Sequence, residues 1–210
     1  MAEALAKSPL DGFGLDAIAS TMDERNGVWA SELPFHGYIS LRGNSSDAAF
    51  ADAVAAVTGS ALPVSPCSIA AKDGVKTLWI SPDEWLIVCA KAQHAALVTG
   101  LIKKLGSIHS QVADNSGSYT QVILQGRNAK DVMQHVSVYN IADLHDGKIV
   151  GTTFGKASVY LHRQGDGYCL LLRRSFSDYI WRFLVRASTP YGFGVANLDD
   201  ADRLRRGVSL

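Results

Sequence analysis

The chain has 210 residues, 47% of them hydrophobic, with 20 basic and 20 acidic side chains. It can build a substantial core, and its neutral balance gives no electrostatic pull toward nucleic acid or anionic lipid. No Lys/Arg cluster with interleaved aromatics occurs, no apolar run has signal-peptide or membrane-span length, and a soluble cytoplasmic protein is expected.

Residues 1–34 are rich in Ala, Gly and Ser with weak periodicity and read as an N-terminal arm. Trp29, Leu33 and Phe35 could pin its end to a core or a partner. A first unit is expected over 35–114. Tyr38-Ile39-Ser40-Leu41-Arg42 reads as a strand closed by Gly43. Asn44, Ser45 and Ser46 offer N-caps to a helix with Phe50, Val54 and Val57 on one face, stopping at Gly59. Thr77 to Ile80 and Trp85 to Cys89 flank a turn at Ser81-Pro82-Asp83-Glu84, and Leu97, Leu101 and Leu105 mark the next helix. Ile108 to Ala113 closes the unit as a strand.

The pattern recurs 83 residues on, in a second unit expected over 115–200 with a tail at 201–210. A strand ending at Gln125 meets Gly126, and a helix with Val132, Met133 and Val136 follows. The hairpin from Tyr160 to Leu172 turns at Gln164-Gly165-Asp166-Gly167, so Asp166 matches Asp83 and Tyr168 matches Trp85. Phe176, Ile180 and Leu184 then mark a helix whose start, Ser175 with Asp178, resembles a capping box. Tyr191 to Ala196 is the last strand. Strand, helix, strand, strand, helix, strand, written twice, predicts an α+β fold of two ferredoxin-like split βαβ repeats.

Chemistry is sparse in this pattern. Cys67, Cys89 and Cys169 are odd in number and far apart, and the last two sit in apolar runs as small buried hydrophobes. His36, His94, His109, His135, His145 and His162 lack metal-ligand spacing and are expected on surfaces or in turns. Gly151-Thr152-Thr153-Phe154-Gly155-Lys156 is one residue short of a phosphate loop and reads as a loop leading into Ala157 to Leu161. Gly12-Phe13-Gly14 lacks the third glycine of a dinucleotide fingerprint, and no GxSxG occurs. Asn44-Ser45-Ser46 matches a glycosylation sequon, but the same residues suit a helix cap.

Three places remain as candidates. Asp114-Asn115-Ser116-Gly117-Ser118 is a turn whose carboxylate either shapes the backbone or orients an amine or ring nitrogen. Arg173 and Arg174 lie between a strand end and a helix start, placed to clamp a carboxylate or phosphate, or to pair with a partner or with Asp83. Asp83-Glu84-Trp85 is a hairpin tip whose Trp would anchor a partner. Asp114, Arg173 and Arg174 would rim a groove; Trp29, Phe35, Asp83 and Trp85 are the interface candidates.

Ile80-Ser81-Pro82-Asp83-Glu84-Trp85-Leu86-Ile87 is similar to a motif of the gamma subunit of heterotetrameric sarcosine oxidase. So are Asp114-Asn115-Ser116 with the following strand and Gly126, and Arg173-Arg174-Ser175-Phe176, in order from about Gly37 to Gly192. The resemblance implies a fold related to the folate-binding part of the glycine-cleavage T-protein. It implies alpha, beta and delta partner subunits and a complex that demethylates sarcosine to glycine, hydrogen peroxide and, with tetrahydrofolate, methylenetetrahydrofolate. FAD, FMN, NAD and tetrahydrofolate would belong to the large partners and zinc to delta, with no cofactor and no catalytic residue in this chain. A T-protein carries a further barrel domain for which this chain has no residues. The Lys-Gly-Cys-Tyr-x-Gly-Gln-Glu signature of free-standing folate-binding proteins is missing from Gly151 to Val159. A stand-alone folate-binding role, or a complex acting on another N-methyl amino acid, are the alternatives.

Overall fold

A computed structural model describes residues 6–197. Over that span run α1 (Leu15–Ile18), β1 (Val28–Leu33), β2 (Gly37–Gly43), α2 (Ala48–Thr58), β3 (Ile69–Lys72), β4 (Val75–Ser81), β5 (Glu84–Cys89), α3 (Lys91–Leu105) and β6 (Ser110–Asp114). They are followed by β7 (Tyr119–Gln125), α4 (Ala129–Val136), β8 (Ile149–Phe154), β9 (Ala157–Gln164), β10 (Gly167–Arg173), α5 (Ser177–Ser188) and β11 (Phe193–Val195). The expected tail at 201–210 lies outside the described residues.

Contacts divide the chain into two compact units. The first holds Phe35–Tyr119 and His145–Val150; the second holds the described residues of Met1–Pro34, Thr120–Leu144 and Gly151–Leu210. The division differs from the expected one at two points. Positions 6–34 group with the second unit, and 145–150 return to the first, where Ile149 N donates to Cys67 O at 2.8 Å and Ile69 N to Gly147 O at 2.9 Å.

The first unit has a five-stranded sheet in the order β3-β4-β5-β2-β6. β2 lies between β5 and β6, antiparallel to both, with Leu41 opposite Trp85 and Val112. Strand alternation sends Ile39 and Leu41 to one face, where Phe50 and Val54 of α2 and Leu97, Leu101 and Leu105 of α3 close over them. Trp85 is 0% exposed in this core, its ring 5.7 Å from that of Phe50, and its indole N–H donates to Pro63 O at 2.7 Å. Gly43 is required where it stands, because a Cβ there would collide with the Phe50 ring. The cap of α2 comes from Asp47, whose carboxylate accepts from Ala49 N, and not from Ser45 or Ser46; Asn44 instead accepts from Ser46 N in the preceding turn. Gly59 ends the helix at φ 78°, as its position after the apolar face suggests.

The second unit's sheet runs β8-β9-β10-β7-β1-β11. That is the order of the first sheet with β1 inserted before the last strand. β1 is therefore a corrected expectation: residues 28–33, placed by sequence in an arm, form an internal strand, antiparallel to β7 and parallel to β11. All six of its residues are buried. Its polar members are satisfied in place: Glu32 accepts from Ser8 Oγ and Thr120 Oγ1, both at 2.7 Å, and Ser31 Oγ donates to Ala196 O at 2.7 Å. Each sheet also has one strand more than the βαββαβ reading. These are the edge strands β3, four residues long, and β8, whose 151–154 portion was expected to be loop. Gly151-Thr152-Thr153 has no apolar alternation because β8 is half-exposed, yet the strand pairs with β9.

α4 and α5 bury the faces that their spacing predicts at Val132, Met133 and Val136, then Ile180 and Leu184, and α5 also buries Trp181. The start of α5 differs. Ser175 and Asp178 form no capping box, because the helix begins at Ser177 after a short turn, and Phe176 is exposed rather than in line with Ile180. No helix among the described residues is long and apolar enough to cross a membrane.

Candidate functional site

In the first unit the turn after β6 folds back on β2. Asn115 N donates to Tyr38 O at 2.8 Å, and Tyr38 N donates to Ser116 Oγ at 3.1 Å. The Asn115 amide also donates to Ser40 Oγ at 2.6 Å. Asp114 Oδ1 accepts from Ser116 N at 2.9 Å, the local carboxylate-to-backbone bond that the sequence suggested. His94 of α3 completes the group: its Nε2 lies 3.1 Å from both Asp114 Oδ1 and Ser116 Oγ. Gly37 makes the approach possible, since a Cβ there would come within 2.8 Å of His94 and of Cys89 Sγ.

The electrostatics follow from these contacts. The Ser116 hydrogen bonds, with His94 beside them, hold the Asp114 carboxyl below the usual carboxylate range. Burial, and secondarily the Asp114 charge, push the Cys89 thiol up to about 11. Asp114 and Ser116 meet the same imidazole nitrogen. A Ser–His–Asp relay needs the two on opposite nitrogens, so this cluster is not arranged to activate the serine. What it presents is a half-exposed carboxylate on a fixed turn, able to accept from an amine or ring N–H. His94 was expected on the surface and is instead mostly covered; His162, on β9, is buried, with Nδ1 2.7 Å from Arg163 O.

The hairpin tip of the same unit is a second polar place. Asp83 Oδ2 pairs with Arg42 Nη2 at 2.6 Å, and Asp83 Oδ1 accepts from Ser81 Oγ at 3.0 Å. Arg42, then Ser81, lower the Asp83 pKa. The pair edges an open cleft of about 690 Å³ that also touches Asn44, His109 and Gln111. Trp85, expected here as a partner anchor, points the other way into the core and offers no face to a partner. Trp29 is likewise buried in the second unit, its indole N–H donating to Asp23 O at 3.2 Å. Phe35 keeps 48% of its surface exposed, at φ 59°, with Lys91 Nζ 5.8 Å from its ring.

In the second unit Arg173 ends β10 and Arg174 opens the turn before α5. Both are exposed. Arg174 Nη2 donates to Lys7 O at 3.0 Å, so this guanidinium ties down the lead segment. Asp114 belongs to the first unit and the two arginines to the second. A cleft of about 460 Å³ in the second unit is lined by Arg127, Lys130, Arg163, Asp166 and Tyr168, and the Arg163 guanidinium lies 5.8 Å from the Tyr168 ring. Among the described residues no group of three His, Cys, Asp or Glu side chains could hold a metal ion. Cys89 and Cys169 are buried and all three cysteines are free thiols; Cys169 Sγ donates to Gln121 Oε1 at 3.3 Å.

The sequence matches the family described as sarcosine oxidase, gamma subunit family over residues 42–190. The chain belongs to the sarcosine oxidase gamma subunit family. The match spans the Arg42–Asp83 pair, the Asp114 turn and the Arg173–Arg174 corner. The sarcosine oxidase subunit gamma of Corynebacterium sp. (strain P-1) is 28% identical over 197 residues, covering 90% of this chain and 89% of that protein. Among solved structures, a chain of the heterotetrameric sarcosine oxidase from Corynebacterium sp. U-96 superposes with a TM-score of 0.80 at 26% identity, covering 90% of this chain and 97% of that one. The glycine cleavage aminomethyltransferase T of Bartonella henselae shares the fold at a TM-score of 0.69 and 14% identity, covering 99% of this chain and 64% of its own. The gamma-family chain is thus an α+β protein with two sheets and a T-protein-like fold.

Proposed function

We propose that this chain is the non-catalytic, structural gamma subunit of a heterotetrameric, flavin-dependent sarcosine oxidase, assembled with alpha, beta and delta partners in the cytoplasm. The carrying observation is similarity along nearly the whole length of a chain from such a complex, with a family match over 42–190. In this reading the partners hold FAD, FMN, NAD, tetrahydrofolate and zinc, and the complex oxidises sarcosine to glycine and hydrogen peroxide. Two features support a structural role. The polar cluster at Asp114 shares one imidazole nitrogen, and the thiols Cys89 and Cys169 are buried as core groups. Two split βαβ repeats, one per unit, underlie the subunit; the shared sheet order supports this, with β1 as an insertion.

Co-expression with the three partners tests the proposal. The assembled complex should release hydrogen peroxide from sarcosine, and the isolated chain should release none. A panel of N-methyl amino acids run on the same complex identifies its substrate. Turnover by the isolated chain would contradict the structural role.

A stand-alone folate-binding protein is the second reading, favoured by the half-exposed Asp114 carboxylate on a T-protein-like fold. Calorimetric titration of the isolated chain with tetrahydrofolate decides it: binding that Asp114→Asn abolishes would establish this reading, and no heat would remove it.

A further inference from the structure

Resting on the subunit reading above, we propose that the outer face of α5 and the β8–β9 turn beside it form a docking surface. The occupant is an apolar, acid-rimmed surface of another subunit of the complex.

α5 has two faces. Its inner face, Ile180, Trp181 and Leu184, is buried. Tyr179 and Phe183 fall four positions apart on its outer side, and Phe176 is the exposed last residue of the turn that leads into the helix. Phe176 is 44% and Tyr179 39% exposed. The Tyr179 and Phe183 rings are fixed without a partner. Tyr179 and Phe183 stack with centroids 6.0 Å apart, and Phe183 meets the buried Phe154 edge-on at 5.8 Å. The Tyr179 hydroxyl accepts from Lys156 N at 3.1 Å. Gly155, at φ 59°, lets the rings down onto the turn, because a Cβ there would sit 2.5 Å from the Tyr179 oxygen and 2.8 Å from Phe183. The same turn is bridged from Phe154 to Ser137, which places Val138, 84% exposed, on the next residue.

Rigid exposed aromatics cost little further side-chain entropy on association, which is what a strong anchor needs. The charges beside them choose the partner. Lys156, Arg182 and Arg186 border the rings; the acid on α5, Asp178, already accepts from Arg182 Nε at 2.9 and 3.1 Å. With Asp178 paired to Arg182, the cationic excess beside the rings is carried by the exposed Lys156 and Arg186. Tyr, Phe and Arg together are the composition of interface centres, and a cationic border selects an acidic counterpart.

The test uses the chain co-expressed with its three partners. The double variant Phe176→Asp with Arg186→Glu should lower affinity for the partners at least tenfold, while Ile102→Asp, on an exposed position of α3 in the first unit, should leave it unchanged. Thermal midpoints of the isolated chains show whether each variant folds. If the double variant is unfolded, acetylation of Lys156 in the wild type decides: protection on assembly supports the proposal, and unchanged reactivity overturns it. Wild-type assembly with no loss in the folded double variant overturns the docking face and leaves the subunit reading standing. Failure of the wild type to assemble removes both. Self-association through this face would put a second copy there and overturn the proposal. So would Lys156 protection in the isolated chain that is lost on truncation after Asn197, which would put the chain's own segment with Asp199, Asp200 and Asp202 there.

Discussion

Thiol and carboxylate environments set the behaviour that single residues should show. Burial disfavours the Cys89 thiolate and holds its pKa at about 11, so at pH 8 it stays protonated and shielded. Cys169 is shielded in the same way, whereas Cys67 is partly exposed. Labelling of the native chain with a disulfide reagent should therefore modify one thiol quickly and three only after denaturation. Rapid native labelling of Cys89 would contradict its place in the core. Asp114 behaves oppositely. Its folded pKa is lowered, first by Ser116, so its contribution is present above the unfolded carboxylate value of ~3.9 and is lost as pH falls through the folded value. Asp114→Asn should lower stability at pH 7 by less than about 1 kcal/mol, because the carboxylate is half-exposed. Urea melts should show that difference shrinking as the pH drops below the usual carboxylate range. The turn at Asp114 was legible in sequence because its carboxylate bonds its own backbone two residues on. His94 was not, because its partners lie 20 and 22 residues away and only the close approach over Gly37 brings α3 to them.

Elements show the same division between local and distant causes. The helices α2 to α5 could be read because apolar side chains at three- and four-residue spacing must share a face. β1 could not, since Ser31 and Glu32 break the apolar pattern and are made tolerable only by Ala196, Ser8 and Thr120. Trp85 was placed at a tip because its neighbours Pro82 and Asp83 are turn residues, yet alternation along β5 turns it into the core. Trp85→Ala should cost roughly 3–5 kcal/mol by chemical denaturation, from lost burial and the cavity left against Phe50. Phe35→Gly should cost no more than about 0.5 kcal/mol, since φ 59° suits glycine and the ring is half-exposed. Between β7 and α4, Gly126 sits at φ 105° with its would-be Cβ 2.6 Å from Gly27 O. Gly126→Ala should therefore destabilise by at least about 2 kcal/mol in the same melts, through backbone strain and a clash with β1's lead-in.

Across the chain, the order of strands and helices could be read because Gly43 and Gly126 mark strand ends and Asp83 and Asp166 sit in hairpin turns. The exchange of segments was not: 6–34 joins the second unit and 145–150 the first, through strand pairs and backbone bonds between residues far apart in the chain. Family membership rests on 42–190 and therefore on both units. As proposed above, this chain would complete a complex whose chemistry lies in other chains. Native mass spectrometry of the chain co-expressed with alpha, beta and delta measures that directly. One copy of each of the four chains in a single species is the predicted result. A three-chain complex that forms and turns over sarcosine fully while this chain elutes alone would contradict it.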